Sequence, residues 1–117
     1  MDEQAVIDPA TYDELRSLMG SDFVRELTDT YIAETTELLA MLQQALAASD
    51  ASAFVRTAHS IKSASASLGA LSLSQLAREL EMGGKTNALA ELRAKVKQLA
   101  ADFAAVKYRL EELRDEP

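Results

Sequence analysis

His59 is the single histidine of the chain, and it lies in a segment of mostly small side chains, Thr57–Ala70. If this segment is helical, with about 100° per residue, Phe54, Ile61 and Leu68 fall on one apolar face and His59 points almost the opposite way. The imidazole is therefore expected to face solvent. A solvent-facing imidazole can act as a nucleophile or as a proton carrier near neutral pH.

Two cations flank this histidine. Lys62 and Arg56 stand three residues to either side of His59, and residues three apart are neighbours on a helix surface. No acidic residue occurs between Asp50 and Glu79, although the chain carries 19 Asp and Glu against 12 Lys and Arg. This locally positive, open surface suits a phosphoryl group, which the ring nitrogen could carry while Lys62 offsets its negative charge.

At these residues the chain resembles the histidine-containing phosphotransfer (HPt) domain family. The family pattern is A-H-x-L-K-G-x-(A/S)-x-x-(L/I)-G-A followed by L-x-x-L-x-x-x-L-E; this chain has AHSIKSASASLGA at 58–70 and LSQLARELE at 73–81. Ser63 stands where the family most often has glycine. The resemblance extends more loosely over nearly the whole chain. The matching positions are Ala58, His59, Ile61, Lys62, Leu68, Gly69, Ala70, Leu73, Leu76, Leu80 and Glu81.

The resemblance implies a phosphorelay intermediate. Nε2 of His59 would accept a phosphoryl group from an aspartyl phosphate on a receiver domain of a response regulator or hybrid histidine kinase, and pass it to the aspartate of another receiver. Lys62 would stabilise the phosphoryl group by its charge. Glu81 would accept a hydrogen bond from the other ring nitrogen and fix the tautomer. The magnesium needed for transfer is expected on the receiver, and this chain is expected to have no cofactor, metal or ATP site and no kinase activity.

A docking surface is predicted on the faces of the second and third helices beside His59. Small side chains there would let a receiver approach closely, and a relay component must release each partner, so a modest interface with an apolar centre is expected. Val55 is predicted to be its exposed apolar contact. The other predicted docking residues are Arg56, Ser63, Ala66, Ser67 and Gly69.

Other interpretations of His59 stay open at this stage. It would also fit the phosphoacceptor of a helical-bundle domain in a sensor kinase, phosphorylated from ATP by a kinase core in the same or another chain. A scaffold that binds receivers without phosphorylation is a third interpretation, although an intact His59 and Lys62 argue against it. Most lone histidines in helical proteins have no chemical role, but the flanking cations and small neighbours favour a functional one here.

Length, composition and charge narrow the class of protein. A chain of 117 residues suits a single domain, 1–117, with one core. Without cysteine it has neither disulfides nor thiolate metal sites, and one histidine argues against a transition-metal site. The acidic start, Met1–Gln4, does not resemble a signal peptide, and no apolar run approaches the ~20 residues of a membrane span. We therefore expect a cytoplasmic protein, a monomer, that binds neither membranes nor, at a net charge of −7, nucleic acid.

The residue pattern predicts an all-α fold. Short connections between long amphipathic helices imply an up-down-up-down antiparallel four-helix bundle, with a short N-terminal helix across one end. The short helix is predicted between the N-cap Asp8 and Gly20. Ser21 or Asp22 is predicted to cap a long helix that is broken at Ser49–Asp50. Its predicted buried stripe is Phe23, Leu27, Tyr31, Leu38, Leu42 and Ala45.

Three segments complete the predicted bundle. The histidine helix runs from Ala51 to Leu68, with Gly69 as the left-handed residue after it. A shorter helix, Ser72–Met82, ends at Gly83–Gly84, and Asn87 caps the final helix. The chain end, 114–117, is expected to fray. The predicted buried residues of the final helix are Leu92, Val96, Leu99, Phe103, Val106 and Leu110.

Overall fold

The computed structural model describes residues 6–86 and 88–116. This part of the chain contains α-helices and one short 3-10 helix, so the prediction of an all-α fold is confirmed. No helix in these two ranges is both long enough and apolar enough to cross a membrane. The helices are α1 (Pro9–Met19), α2 (Ser21–Ala48), α3 (Ala51–Ser67), α4 (Leu71–Thr86) and α5 (Arg93–Arg114), with the 3-10 helix Leu89–Leu92 directly before α5.

Helices α2 to α5 form a closed bundle in which α2 packs on α3, α3 on α4, α4 on α5 and α5 back on α2. Side-chain contacts show the antiparallel arrangement. Tyr31, in the first half of α2, shares a 2.7 Å hydrogen bond with Ser65 near the end of α3. Arg114, the last residue of α5, lies 2.7 Å from Asp29 near the start of α2.

Helix α1 lies across one end of this bundle. The Asp8 carboxylate caps it by accepting a hydrogen bond from the Thr11 backbone N–H, at 3.1 Å, as its position before Pro9 predicts. Gly69 has a φ of +87° in the turn between α3 and α4, the left-handed conformation that glycine adopts most easily. Its carbonyl accepts a 2.8 Å hydrogen bond from the Asp8 N–H, which ties α1 to that turn.

The buried face of α2 differs from the predicted one. Phe23 is exposed, and the neighbouring Val24 points into the core instead. Leu27 and Leu38 are half-buried at the edge of the core. The prediction is confirmed for Tyr31, Leu42 and Ala45 and was wrong for Phe23. Helix α2 carries apolar side chains on several faces, and two residues of its inner face are threonines, which apolar spacing does not reveal. The buried residues of α2 are Val24, Thr28, Tyr31, Thr35, Leu39, Leu42 and Ala45.

Helix α4 is also longer than predicted, because it continues through Gly83–Gly84 to Thr86. A Cβ on Gly84 would lie 2.9 Å from Cδ2 of Phe54 and 3.0 Å from Cγ2 of Val55, both on α3. The prediction that these glycines end the helix was wrong: Gly84 lets α3 and α4 approach closely. Glycine is common both after helix ends and at close helix contacts, so the sequence alone does not separate these two uses.

The last helix has the predicted core residues but different ends. Leu92, Val96, Leu99, Phe103, Val106 and Leu110 are all buried. The 3-10 helix precedes α5, and the predicted cap, Asn87, lies outside the described residues, as does Pro117. Helix α5 includes Arg114, where the prediction placed the start of the frayed end, and the Arg114 guanidinium contacts Asp29 at 2.7 Å and Asp115 at 3.0 Å.

Candidate functional site

His59 lies on the outer face of α3, with 56% of its side chain exposed. Its Nδ1 is 3.0 Å from Oε2 of Glu81 on α4. The other ring nitrogen, Nε2, is on the far side of the imidazole from this carboxylate. The two nitrogens therefore differ: Nδ1 is engaged within the protein, and Nε2 is on the side away from Glu81.

Glu81 is a buried carboxylate, with 11% of its side chain exposed, and it is surrounded by cations. The Lys62 ammonium is 2.9 Å from Oε1, and the Lys85 ammonium is 3.9 Å from Oε2. The contact with Lys62 lowers the pKa of Glu81; burial opposes this shift, and the contact with His59 adds to it. Glu81 is thus an anion at neutral pH.

An anionic Glu81 has a direct consequence for the imidazole. A carboxylate can only accept hydrogen bonds, so at 3.0 Å the Nδ1 of His59 must be the donor. In the neutral ring, a proton on Nδ1 leaves the lone pair on Nε2. The arrangement can therefore present a nucleophilic Nε2 to a molecule that approaches from solvent.

The close packing of α3 and α4 brings these groups together. Gly84 allows the two helices to approach, as described above, and the Ser74 hydroxyl donates a 2.8 Å hydrogen bond to the Lys62 carbonyl. With the register of the helices set in this way, Glu81 lies opposite the turn of α3 that carries His59 and Lys62.

Comparison with known proteins identifies the family. The Hpt domain model matches residues 26–116, which is most of the chain. The protein belongs to the Hpt domain family. Its structure is similar to the crystal structure of histidine-containing phosphotransfer protein B (HptB) from Pseudomonas aeruginosa PAO1, with a TM-score of 0.88 and 31% sequence identity over 93% of this chain and 94% of that chain. No curated protein shows significant similarity to the chain. The predicted family is confirmed. Hpt domains are phosphotransfer intermediates that lack a kinase core.

The Hpt domain exposes most of the predicted docking residues. Arg56, Ser63, Ala66 and Ser67 are exposed on α3, and the Arg56 guanidinium donates a 2.6 Å hydrogen bond to the Ser52 hydroxyl. Two of the predictions need correction. Val55 is half-buried, because its side chain packs against α4 at Gly84. Gly69 is buried beneath α1. Gly69 is therefore not available to a partner, and Val55 offers only part of its surface.

His59, Lys62, Glu81 and Lys85 form a charged cluster, and the sequence pattern did not reveal the last of these residues. Lys85 stands four residues after Glu81, a spacing that places two residues on the same face of a helix. That signal was lost because the helix was predicted to end at Gly83–Gly84, which would have put Lys85 in a loop. The predicted site residues His59, Lys62 and Glu81 are brought together, and Lys85 joins them from the last turn of α4.

Proposed function

We propose that this Hpt protein is a phosphorelay intermediate that carries the phosphoryl group on Nε2 of His59. It takes the group from an aspartyl phosphate on one receiver domain and passes it to the aspartate of another. The observation that supports this most directly is the 3.0 Å contact between Nδ1 and Glu81, since it leaves the lone pair on Nε2 of an exposed ring.

The transfer step follows from this hydrogen bond. The Nε2 lone pair forms the N–P bond while the P–O bond to the receiver aspartate breaks, and the aspartate carboxylate keeps the electron pair. The Nδ1 proton stays in place, so the ring becomes positively charged as the bond forms. The anionic Glu81 stabilises that charge. In the reverse direction the electrons of the N–P bond return to Nε2, and the ring leaves as a neutral imidazole, which makes His59 a phosphoryl donor as well as an acceptor.

Lys62 is proposed to stabilise the negative charge of the phosphoryl group. Its ammonium lies on the same carboxylate as the imidazole, and 28% of its side chain is exposed, so it is close to the reacting ring and accessible from outside. Magnesium for the transfer is proposed to belong to the receiver partner. We further propose a cytoplasmic monomer whose partners are the receiver domains of response regulators and hybrid histidine kinases.

Phosphotransfer from a purified, radiolabelled receiver tests the proposal. The wild-type protein should take up acid-labile label, and His59→Gln should take up none while keeping its helicity and melting temperature, because the ring is largely exposed. Lys62→Ala should slow transfer by roughly ten- to a thousandfold, the range for losing one electrostatic stabiliser.

A second arm replaces the phosphorylated receiver by a sensor-kinase core with ATP. Label from the kinase core but none from the receiver would support a kinase phosphoacceptor domain instead. Receiver binding without any label on the wild-type protein would support a scaffold. Label on His59→Gln equal to that on the wild type would exclude His59 as the acceptor.

A further inference from the structure

Glu81 is shared by more groups than its role toward the imidazole requires. Lys62 contacts Oε1 from α3, while His59 and Lys85 both face Oε2, at 3.0 and 3.9 Å. Fixing the histidine tautomer needs the carboxylate and one counter-ion. The second lysine therefore needs an explanation of its own.

The proposed function gives Lys62 two tasks. In the unphosphorylated protein it is the nearest counter-ion of Glu81, and during transfer it would neutralise a phosphoryl group of about −1.5 to −2 charge. The Lys62 ammonium lies 2.9 Å from Oε1 of Glu81, and 28% of the Lys62 side chain is exposed. The flexible, partly exposed side chain of Lys62 is able to turn from this carboxylate toward a phosphoryl group, which carries more negative charge.

Such a movement would take the cation away from Oε1 of Glu81 and leave the carboxylate balanced mainly by the positively charged ring at Oε2, whose Nδ1 proton Glu81 could then take. A buried carboxylate that loses its counter-ion is strongly destabilised, and its simplest response is to take up a proton. A protonated Glu81 would no longer hold the Nδ1 proton of His59 or offset the positive charge of the phosphorylated ring. The movement of Lys62 would thus weaken the hydrogen bond on which the transfer step depends.

Lys85 is placed to prevent this. It lies one turn after Glu81 on α4, its side chain is 58% exposed, and its ammonium is already 3.9 Å from Oε2. A rotation of its flexible side chain is enough to close that gap, with no movement of either helix. We propose that Lys85 replaces Lys62 as the counter-ion of Glu81 when His59 carries the phosphoryl group. This makes Lys85 a positioning residue, and the inference rests on the proposed function.

The test compares the His59–Glu81 hydrogen bond before and after phosphorylation. Phosphoramidate serves as the donor: Nε2 forms the N–P bond, the P–N bond of the reagent breaks, and ammonia leaves with a proton from water. The ring nitrogens of His59 are followed by ¹⁵N NMR, and the exchange of the Nδ1 proton with solvent is measured in both states. The variants are Lys85→Ala, Lys85→Arg and the control Arg78→Ala, which removes an exposed cation of α4 that forms no ion pair within residues 6–86 and 88–116.

The expected result depends on the state of the protein. Without the phosphoryl group, Lys85→Ala should match the wild type, because Lys62 still neutralises Glu81. With it, Nδ1 proton exchange in Lys85→Ala should rise by roughly tenfold or more, the effect of losing a hydrogen bond to a charged group. Lys85→Arg should restore slow exchange, and Arg78→Ala should behave as the wild type in both states.

Two results would overturn the inference alone. One is a phosphorylated Lys85→Ala protein whose Nδ1 proton exchanges as slowly as in the wild type. The other is an equal effect of Arg78→Ala, which would mean that any cation on α4 acts in the same way and that the position of Lys85 is not special. In both cases His59 would still carry the phosphoryl group, so the proposed function would stand. If phosphoramidate does not modify His59 in the wild-type protein, a phosphorylated receiver serves as the donor instead; no phosphorylation of His59 by either donor would refute both the inference and the proposed function.

Discussion

Alanine at position 84 would test directly how closely α3 and α4 must pack. The new Cβ would lie 2.9 Å from Cδ2 of Phe54 and 3.0 Å from Cγ2 of Val55, whereas non-bonded carbons pack at about 3.5–4.0 Å. The Phe54 ring is fully buried and cannot turn into solvent, so the helices have to separate. Overpacking of this kind costs about 1–3 kcal/mol, and the better helix propensity of alanine offsets about 1 kcal/mol. We expect Gly84→Ala to lower the free energy of unfolding by about 1 kcal/mol.

Thermal and urea unfolding measure this change, with an expected fall in melting temperature of roughly 4 °C. Phosphotransfer should slow as well, because separating the helices draws Glu81 away from His59. The matched control is the same substitution in a Phe54→Leu background, where less bulk opposes the new Cβ and the loss should be smaller. A higher melting temperature for Gly84→Ala in the otherwise unchanged protein would refute the argument from close approach. Equal losses in the two backgrounds would show that the Phe54 ring is not the obstacle.

Three further predictions concern the exposed face and two titrating groups. Ser63→Gln should keep helicity and melting temperature, since glutamine suits an exposed helix position, but should impair phosphotransfer by adding bulk one turn from His59; wild-type rate and receiver affinity would mean that the small residues there are incidental. The lowered pKa of Glu81 means that its charge stabilises the fold above the ordinary pKa of 4.5 and that this contribution is lost as the pH falls through the lowered value. Urea unfolding should therefore show a difference between wild type and Glu81→Gln that is constant from neutral pH to about 4.5 and shrinks below it; a constant difference at all pH values would contradict the ion cluster. Burial raises the pKa of Tyr31 from 10.0 to about 12, so the wild type should lose stability as the pH rises from 10 to 12 more steeply than Tyr31→Phe; parallel curves would mean that Tyr31 does not contribute.

Much of the fold follows from local patterns in the sequence. Asp8 was predicted as the N-cap of α1 and caps it, because a short carboxylate side chain can reach the free N–H groups of the first turn. Asp50 caps α3 in the same way, directly before the predicted helix start at Ala51. The buried face of α3 was also predicted, since small and apolar residues alternate there at clear helical spacing. These features depend only on neighbours within one turn or one helix face.

The errors arose where a residue's role is set by another helix. Gly84 leaves room for the Phe54 ring of α3 and does not mark the end of a helix. Arg114 contacts Asp29, which is far away in the sequence. Lys85 went unrecognised for the same reason. The functional histidine was found because its family motif is local, whereas the counter-ions of Glu81 depend on how α3 and α4 approach each other.

The four groups of the charged cluster all belong to one helical hairpin. His59 and Lys62 lie on α3, Glu81 and Lys85 lie on α4, and only the turn at Gly69 separates the two helices. Substitutions on α2 and α5 can therefore change stability or surface without altering the reacting groups themselves. The reacting groups and the other helices of the bundle can therefore diverge separately in evolution. A transplanted α3–α4 hairpin is the smallest unit expected to carry the reaction into another bundle.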